Sequence, residues 1–274
     1  MRNVIKNCDS NGVRIAYRVE GEGEPLVLIM GLGASSLKWA PHVAAYAPHF
    51  RTIAVDNRGA GLSDSPAAER YSIADMARDV VAVMDAEGIE SAHVNGISMG
   101  GAIAQRLAID HPGRVRSLIL TNPFPRCNVS FRRAIELLRD ACGAVDGHTF
   151  TRLCQWIIYA AKYQDEHEEA LLDAEAHDPD AACPMSSAAY RAQCNAILDF
   201  DVSKELGRIT APTLIAAGDS DLFVPPWITR EMAEGIPGAE LFVAPDGGHV
   251  QHWEQLEQYN RVTLDFLLRH AKQD

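Results

Sequence analysis

"VNGISMGGAIAQ", Val94 to Gln105, places one serine among glycines where an apolar run ends and an amphipathic run begins. Gly96-Ile97-Ser98-Met99-Gly100 fits G-x-S-x-G, the pattern of a sharp strand-to-helix turn that presents a serine hydroxyl above a sheet. Such a turn strains the serine backbone. It also brings strand and helix so close that the residues two before and two after must be small. Gly96 and Gly100 meet that need, and Gly101 extends the contact. The helix N-terminus behind Ser98 favours developing negative charge. A glycine-rich turn can also serve packing alone, so the reading depends on whether the chain supplies a base, an acid and an oxyanion site.

Outward from this turn the chain alternates. Apolar runs of strand length lie at 13–19, 25–30, 51–56, 92–97, 116–121, 212–217 and 239–244, each bounded by turn residues. Helical patterns cover 36–47, 72–87, 99–110, about 226–235 and about 251–270. The second opens on the capping box Ser72-x-x-Asp75 and closes at Gly88; the third stops at Pro112-Gly113. The first strand alternates polar and apolar residues and suits a sheet edge. The middle ones are almost wholly apolar, as parallel strands covered on both faces are. The chain therefore reads as an α/β fold, a mostly parallel sheet flanked by helices.

The rhythm fails between about 123 and 205. Four helical stretches follow there without a strand: Phe131–Ala141, Thr149–Tyr163, Glu166–Ala176 and Ser186–Leu198. The expected division is a core domain of residues 1–122 and 206–274 with an all-helical cap, or lid, at 123–205. The acidic run at 165–178 reads as a solvated helix face.

With 274 residues, 47% of them hydrophobic, the chain can bury a large core. A net charge of −12 argues against nucleic acid and anionic membranes as partners. The segment "MRNVIKNCDS" has no apolar signal region, and no apolar run is long enough to span a bilayer. A cytoplasmic protein is expected. Cys8, Cys127, Cys142, Cys154, Cys183 and Cys194 form no C-x-x-C pair and are expected as reduced thiols.

Most histidines, His42, His49, His111, His167, His177 and His270 among them, fall on polar helical faces or helix ends. His249 instead lies in "APDGGHVQHW", a turn between the last strand and the last helix. In a parallel sheet such loops gather at the carboxyl ends of the strands, where Ser98 also sits. His252 is the alternative base. His249-x-x-His252 without a third ligand is a weak metal pair. The acid is expected after the preceding strand, where "AAGDSDLFVPP" offers Asp219 and Asp221. The chain order is then Ser, Asp, His.

With "LIMGLG" (28–33), "DNRGAGLSD" (56–64), "GISMGG" (96–101), "GDSDLFVP" (218–225) and "GGH" (247–249), the chain resembles α/β-hydrolases of the esterase and lactonase type with a helical cap. The resemblance runs from about residue 12 to 270 and is weakest over the cap. The family pattern G-x-x-D-x-x-x-P maps to Gly218, Asp221 and Pro225, and so implies Asp221 over Asp219. Serine at 98, not aspartate, sets the chain apart from dehalogenases and epoxide hydrolases. Most relatives carry His-Gly after the third strand; here Met30-Gly31-Leu32-Gly33 resembles the version in small bacterial esterases and acyl-homoserine lactone lactonases, with the Asn-Ser-Leu-Gly of enol-lactonases a cousin.

The resemblance implies Ser98, Asp221 and His249 as catalytic residues and backbone N–H groups of Leu32 and Met99 as the oxyanion hole. It implies no metal or cofactor, and a small-molecule ester or lactone as substrate. Asp56, Arg58 and Asp64 are expected to hold their loop by ion pairing. Phe124, Phe131, Trp156, Tyr159 and Val250 are candidates to line an apolar substrate pocket, with cap packing the alternative for the aromatic four. The rival activities are a C–C bond hydrolase and a cofactor-free haloperoxidase or perhydrolase on the same triad. A rival of another class is a small-ligand receptor with incidental turnover. The oligomeric state is not legible.

Overall fold

The apolar runs become the strands of one eight-stranded sheet. The computed structural model describes residues 4–182 and 184–272; Cys183 lies outside the described residues. In chain order the strands are β1 (Val4–Ser10), β2 (Val13–Glu20), β3 (Glu24–Ile29), β4 (Phe50–Val55), β5 (Ala92–Ile97), β6 (Val115–Thr121), β7 (Thr213–Gly218) and β8 (Glu240–Ala244). Their spatial order is β1-β2-β4-β3-β5-β6-β7-β8. The six from β4 to β8 are parallel, while β1–β2 and β2–β4 are antiparallel.

The edge assignment needs correction. The strand expected at the edge, β2, is flanked by β1, which pairs with it in register from Val4↔Val19 to Ser10↔Val13. The turn is Asn11-Gly12, with φ of 52° and 82°. Asn-Gly between two strand-length runs is a strong hairpin signal. It was masked because the β1 sequence VIKNCDS is mostly polar and exposed.

Side chains alternate across the buried strands. Val27 and Ile29 of β3 face α2 (Ile73–Ala86) and α3 (Met99–Asp110) in one apolar cluster. Leu26 and Leu28 face the other way, toward Trp39, Tyr46 of α1 (Ala40–Tyr46) and Phe266. Helix α2 starts where its cap predicts, with Ser72 Oγ accepting from Ala74 and Asp75 N–H.

Between β6 and β7 the described residues form five α-helices: α4 (Val129–Ala141), α5 (Gly147–Ile158), α6 (Ala161–Glu166), α7 (Glu168–Ala176) and α8 (Ser187–Leu198). The stretch expected as one helix over Thr149–Tyr163 is broken at Tyr159 and Ala160, both extended with ψ of 144° and 140°. The break has a tertiary cause: Ile158 O and Ala160 N–H are drawn into hydrogen bonds with the core. After β7 come α9 (Pro226–Gly235), α10 (Gln251–Glu254) and α11 (Leu256–His270). The last two replace the single expected helix, interrupted at Gln255. No described helix is long and apolar enough to cross a membrane.

Candidate active site

Ser98 sits between β5 and α3 with φ 53° and ψ −114°. That conformation costs a non-glycine residue ~1–3 kcal/mol and persists only where the surroundings enforce it. Here Ser98 N–H donates to Thr121 O at 2.8 Å. A Cβ on Gly96 would lie 2.3 Å from Gly100 O, and one on Gly100 would lie 2.1 Å from Ile29 O. The two glycines are therefore demanded by the close approach of β3, β5 and α3.

The loops after β7 and β8 bring the other two expected residues to the serine. His249 Nε2 lies 2.9 Å from Ser98 Oγ, and His249 Nδ1 lies 2.8 Å from Asp221 Oδ2. An ionised carboxylate only accepts, so Nδ1 carries the imidazole proton and Nε2 accepts from Ser98 Oγ–H. Ser98 is 6% exposed, His249 5% and Asp221 3%, so the three side chains are almost closed to water. Asp221 accepts four hydrogen bonds, all at 2.8 Å. Phe223 and Val224 N–H reach Oδ1; Asn122 Nδ2 and His249 Nδ1 reach Oδ2. Asp219 is exposed and hydrogen-bonds the neighbouring Ser220 Oγ.

A Cβ on Gly31 would lie 3.4 Å from Ser98 Cβ, so the Met30–Gly33 loop runs directly against the serine. Leu32 and Met99 N–H make no hydrogen bond among the described residues. Gly33 N–H, by contrast, is taken by Gln193 Oε1 at 3.0 Å, and Gln193 Nε2 donates to Arg58 O at 2.9 Å. Gln193 is fully buried on α8, so the helices between β6 and β7 reach down and fix this loop.

Phe223 meets the His249 ring edge-to-face at 4.9 Å, and Phe131 meets Phe223 in the same way at 4.9 Å. Phe124 continues the column against Phe131 at 4.6 Å. Phe124 and Phe131 are thus buried in an aromatic column leading to the imidazole. Val250 is buried beside His249, with its N–H on Ile158 O at 3.2 Å. Tyr159 is half-buried and stacks on Tyr163; burial pushes its hydroxyl pKa up. Trp156 departs from expectation: it is 62% exposed and joins no ring contact of the column. It falls on the outward face of α5, whose sequence position alone does not fix which face meets the core.

His252, the alternative base, points away from Ser98. Its Nδ1 lies 3.1 Å from His42 Nε2, and His42 Nδ1 lies 2.7 Å from Asn260 Oδ1. His42, expected on a polar face, is fully buried among Trp39, Tyr46, His252 and Tyr259. Burial lowers the pKa of His42 to about 4 and that of His252 well below the usual range, so both rings are neutral. The 56–64 loop is held by ion pairs at two of the three expected residues. Arg58 pairs with Asp79 and Asp64 with Arg14, whereas Asp56 accepts the backbone N–H groups of Ser36 and Leu62.

Sequence reasoning missed Asn122, Gln193, Phe223 and Glu254, whose carboxylate accepts Gly248 N–H, next to His249, at 2.7 Å. Asn122 and Phe223 had a signal, since Asn122 directly follows β6 and Phe223 lies two residues after Asp221. No group of three or more His, Cys, Asp or Glu side chains among the described residues could hold a metal ion. A cavity of about 120 Å³ lined by Arg18, Ser36, Leu37, Val43 and Thr52 involves none of the residues around Ser98.

The chain is 37% identical over 264 residues to a protein of Variovorax paradoxus (strain S110) named "Putative carbamate hydrolase RutD", covering 92% of this chain and 96% of that one. Among solved structures it is similar to Est816, described as an N-acyl homoserine lactone degrading enzyme, with a TM-score of 0.82, 30% identity and coverage of 95% and 100% of the two chains. It is also similar to the enol-lactonase from Burkholderia xenovorans LB400, with a TM-score of 0.84, 29% identity and coverage of 96% and 100%. The family model of the alpha/beta hydrolase fold matches residues 24–141 and 162–256. The chain belongs to the α/β-hydrolase fold family.

Proposed function

We propose that this protein is a serine hydrolase that cleaves carboxylic esters or lactones through an acyl-enzyme. The observation that carries the proposal is the continuous relay from Ser98 Oγ through His249 to a fully hydrogen-bonded Asp221. His249 Nε2 takes the Ser98 proton as Oγ bonds to the substrate carbonyl carbon. The oxyanion is held by Leu32 and Met99 N–H, each donor worth ~3 kcal/mol by the usual cost of removing one. The carbonyl re-forms, the C–O bond to the alcohol breaks, and His249 returns the proton to the departing oxygen. Water then cleaves the Ser98 ester through the same base. Asp221 holds the imidazole tautomer and stabilises its cation. Helices α4–α8 form a cap over this site, and the rest of the chain forms the core. No metal or organic cofactor enters any step.

The Phe223–Phe131–Phe124 column beside His249 supports a small molecule with an apolar acyl group. The likeness to a lactone-degrading enzyme and to an enol-lactonase supports lactones alongside open esters. A second reading, a carbamate carbonyl attacked by the same serine, is favoured by the similarity to the protein named as a carbamate hydrolase. A matched panel of p-nitrophenyl esters, acyl-homoserine lactones of rising chain length and simple carbamates, read as kcat/KM, tests both. An apolar pocket gains ~0.8 kcal/mol per buried methylene until it is full. Ser98→Ala is expected to abolish turnover, by ~10⁶-fold for a triad serine, together with fluorophosphonate labelling. Equal hydrolysis by variant and wild type would refute the assignment. Activity confined to carbamates would replace esters and lactones as the substrate class.

A further inference from the structure

Glu254 is a carboxylate that the relay does not use. It lies at the end of α10, one turn and a half after His249, with no cation paired to it among the described residues. Its two oxygens divide between two parts of the molecule. Oε2 accepts Gly248 N–H at 2.7 Å, immediately before His249, and Oε1 accepts Ala160 N–H at 2.7 Å, from the extended break between α5 and α6. The same break supplies Ile158 O to Val250 N–H at 3.2 Å, immediately after His249. The backbone on both sides of the imidazole is thus tied to one short segment of the helical insertion.

The contact is too close for any side chain at 248. A Cβ there would lie 2.4 Å from Ala160 N and 2.8 Å from both Ile158 O and Glu254 Oε1. It is also specific to a carboxylate. Two N–H donors converge from opposite sides, and an amide could accept only one of them while turning its own N–H against the other. Leaving a buried N–H unpaired costs ~1–3 kcal/mol.

The charge matters as well as the geometry. The Glu254 pKa stands above the usual carboxylate value, chiefly through burial and also through Asp221, while the two N–H donors and His249 pull it down. From the insertion, Tyr159 and Tyr163 face it, and the Lys162–Asp246 ion pair spans the same seam at 2.7 Å. His249 is therefore flanked by two carboxylates, Asp221 in contact and Glu254 one residue removed along the backbone.

We propose that Glu254 is a positioning residue for His249. Its bidentate clasp locks the His249 loop to the Ile158–Ala160 segment, and its negative charge supports the imidazolium that forms when His249 takes the Ser98 proton. This inference rests on the serine-hydrolase reading above. Its consequence is that closure of the helical insertion and the readiness of the base are one event, because the same carboxylate holds both.

The test uses the full-length protein with a p-nitrophenyl ester and a fluorophosphonate probe. Glu254→Gln keeps the size and removes the charge; Glu254→Asp keeps the charge and cannot reach both donors. Lys162→Ala loosens the same seam without touching Glu254. In Glu254→Gln, kcat is expected to fall by about tenfold or more with KM within about twofold, probe labelling to slow in step, and the acid limb of the kcat/KM profile to move to lower pH. Glu254→Asp is expected to lose kcat with the acid limb in place, and Lys162→Ala to behave as wild type. Wild-type kcat in Glu254→Gln overturns the proposal. So does an equal loss in Lys162→Ala with an unmoved acid limb, which would make the seam merely structural. If Glu254→Gln is too unstable to assay, the Glu254→Asp profile decides, an unchanged kcat overturning the clasp. Failure of the reading beneath is seen separately: wild type would then resist the probe and Ser98→Ala would keep its activity.

Discussion

Asn122 Nδ2 donates to Asp221 Oδ2 at 2.8 Å, the same oxygen that meets His249 Nδ1. Asn122 follows β6 in the left-handed region, at φ 46°. It fills the last acceptor position of the carboxylate and aims its lone pairs at the imidazole. Asn122→Ala is expected to loosen Asp221 Oδ2 against His249 and, on the proposed reading, to lower kcat about tenfold with little change in KM, since small misplacements of a catalytic group carry such penalties. Steady-state kinetics checks this. A variant with wild-type kcat would show that the two backbone N–H groups on Oδ1 suffice.

Gln193 makes the same kind of demand on the Met30–Gly33 loop, proposed above to hold the oxyanion. In Gln193→Leu, Gly33 N–H and Arg58 O lose their partners. The Met30–Gly33 loop should then loosen, lowering kcat and the rate of fluorophosphonate labelling together, while melting drops by several degrees. Unchanged labelling would indicate that Gly31 packing alone holds the loop.

The elbow glycines predict a stability effect. Gly100→Ala would press a methyl group against Ile29 O and Met30 O, whereas Gly113→Ala enters open space. Overpacking costs ~1–3 kcal/mol and more when backbone must move. The first variant should melt well below wild type and the second at or near it, as calorimetry would record.

The buried His42–His252 pair predicts acid sensitivity of the fold. The folded pKa of His42, about 4, lies below its ordinary 6.5. The native state then binds fewer protons than the unfolded chain between those values. Its contribution is complete above pH 6.5 and is lost progressively as pH falls toward about 4. For His42 alone this amounts to about 2 kcal/mol between pH 7 and 5. Urea unfolding at the two pH values should show the loss, and His42→Gln should diminish it. Equal stability at both pH values would contradict neutral burial.

How much of this was legible follows from distance along the chain. The Ser98 turn is a local object: strand, glycines and helix run without interruption from Ala92 to Asp110, and the backbone strain follows from that spacing. The loops carrying Asp221 and His249 announced themselves by following strands in a parallel sheet. The supports did not. Asn122 acts across 99 residues, Gln193 across 160, and Glu254 meets Ala160 across 94. Each looks like an ordinary polar residue until the fold brings its partner. The same limit explains His42, which looks solvated on its own helix but faces His252 and Tyr259. It explains Trp156 too, since amphipathicity does not say which apolar face of a small helix turns to the core.

The parallel order of the sheet has a consequence for synthesis. Ser98 and His249 lie 151 residues apart, with the whole helical insertion between them, and β8 is both the last strand made and the outermost one laid down. A ribosome-bound chain can close the β1–β6 half, with its strained serine already in place, while His249 is still untranslated. Folding proceeds from the N-terminus as the chain emerges. On the serine-hydrolase reading proposed above, the nascent protein stays chemically silent for most of its elongation, and the serine gains its base only with the final crossover into β8 and the turn beyond it.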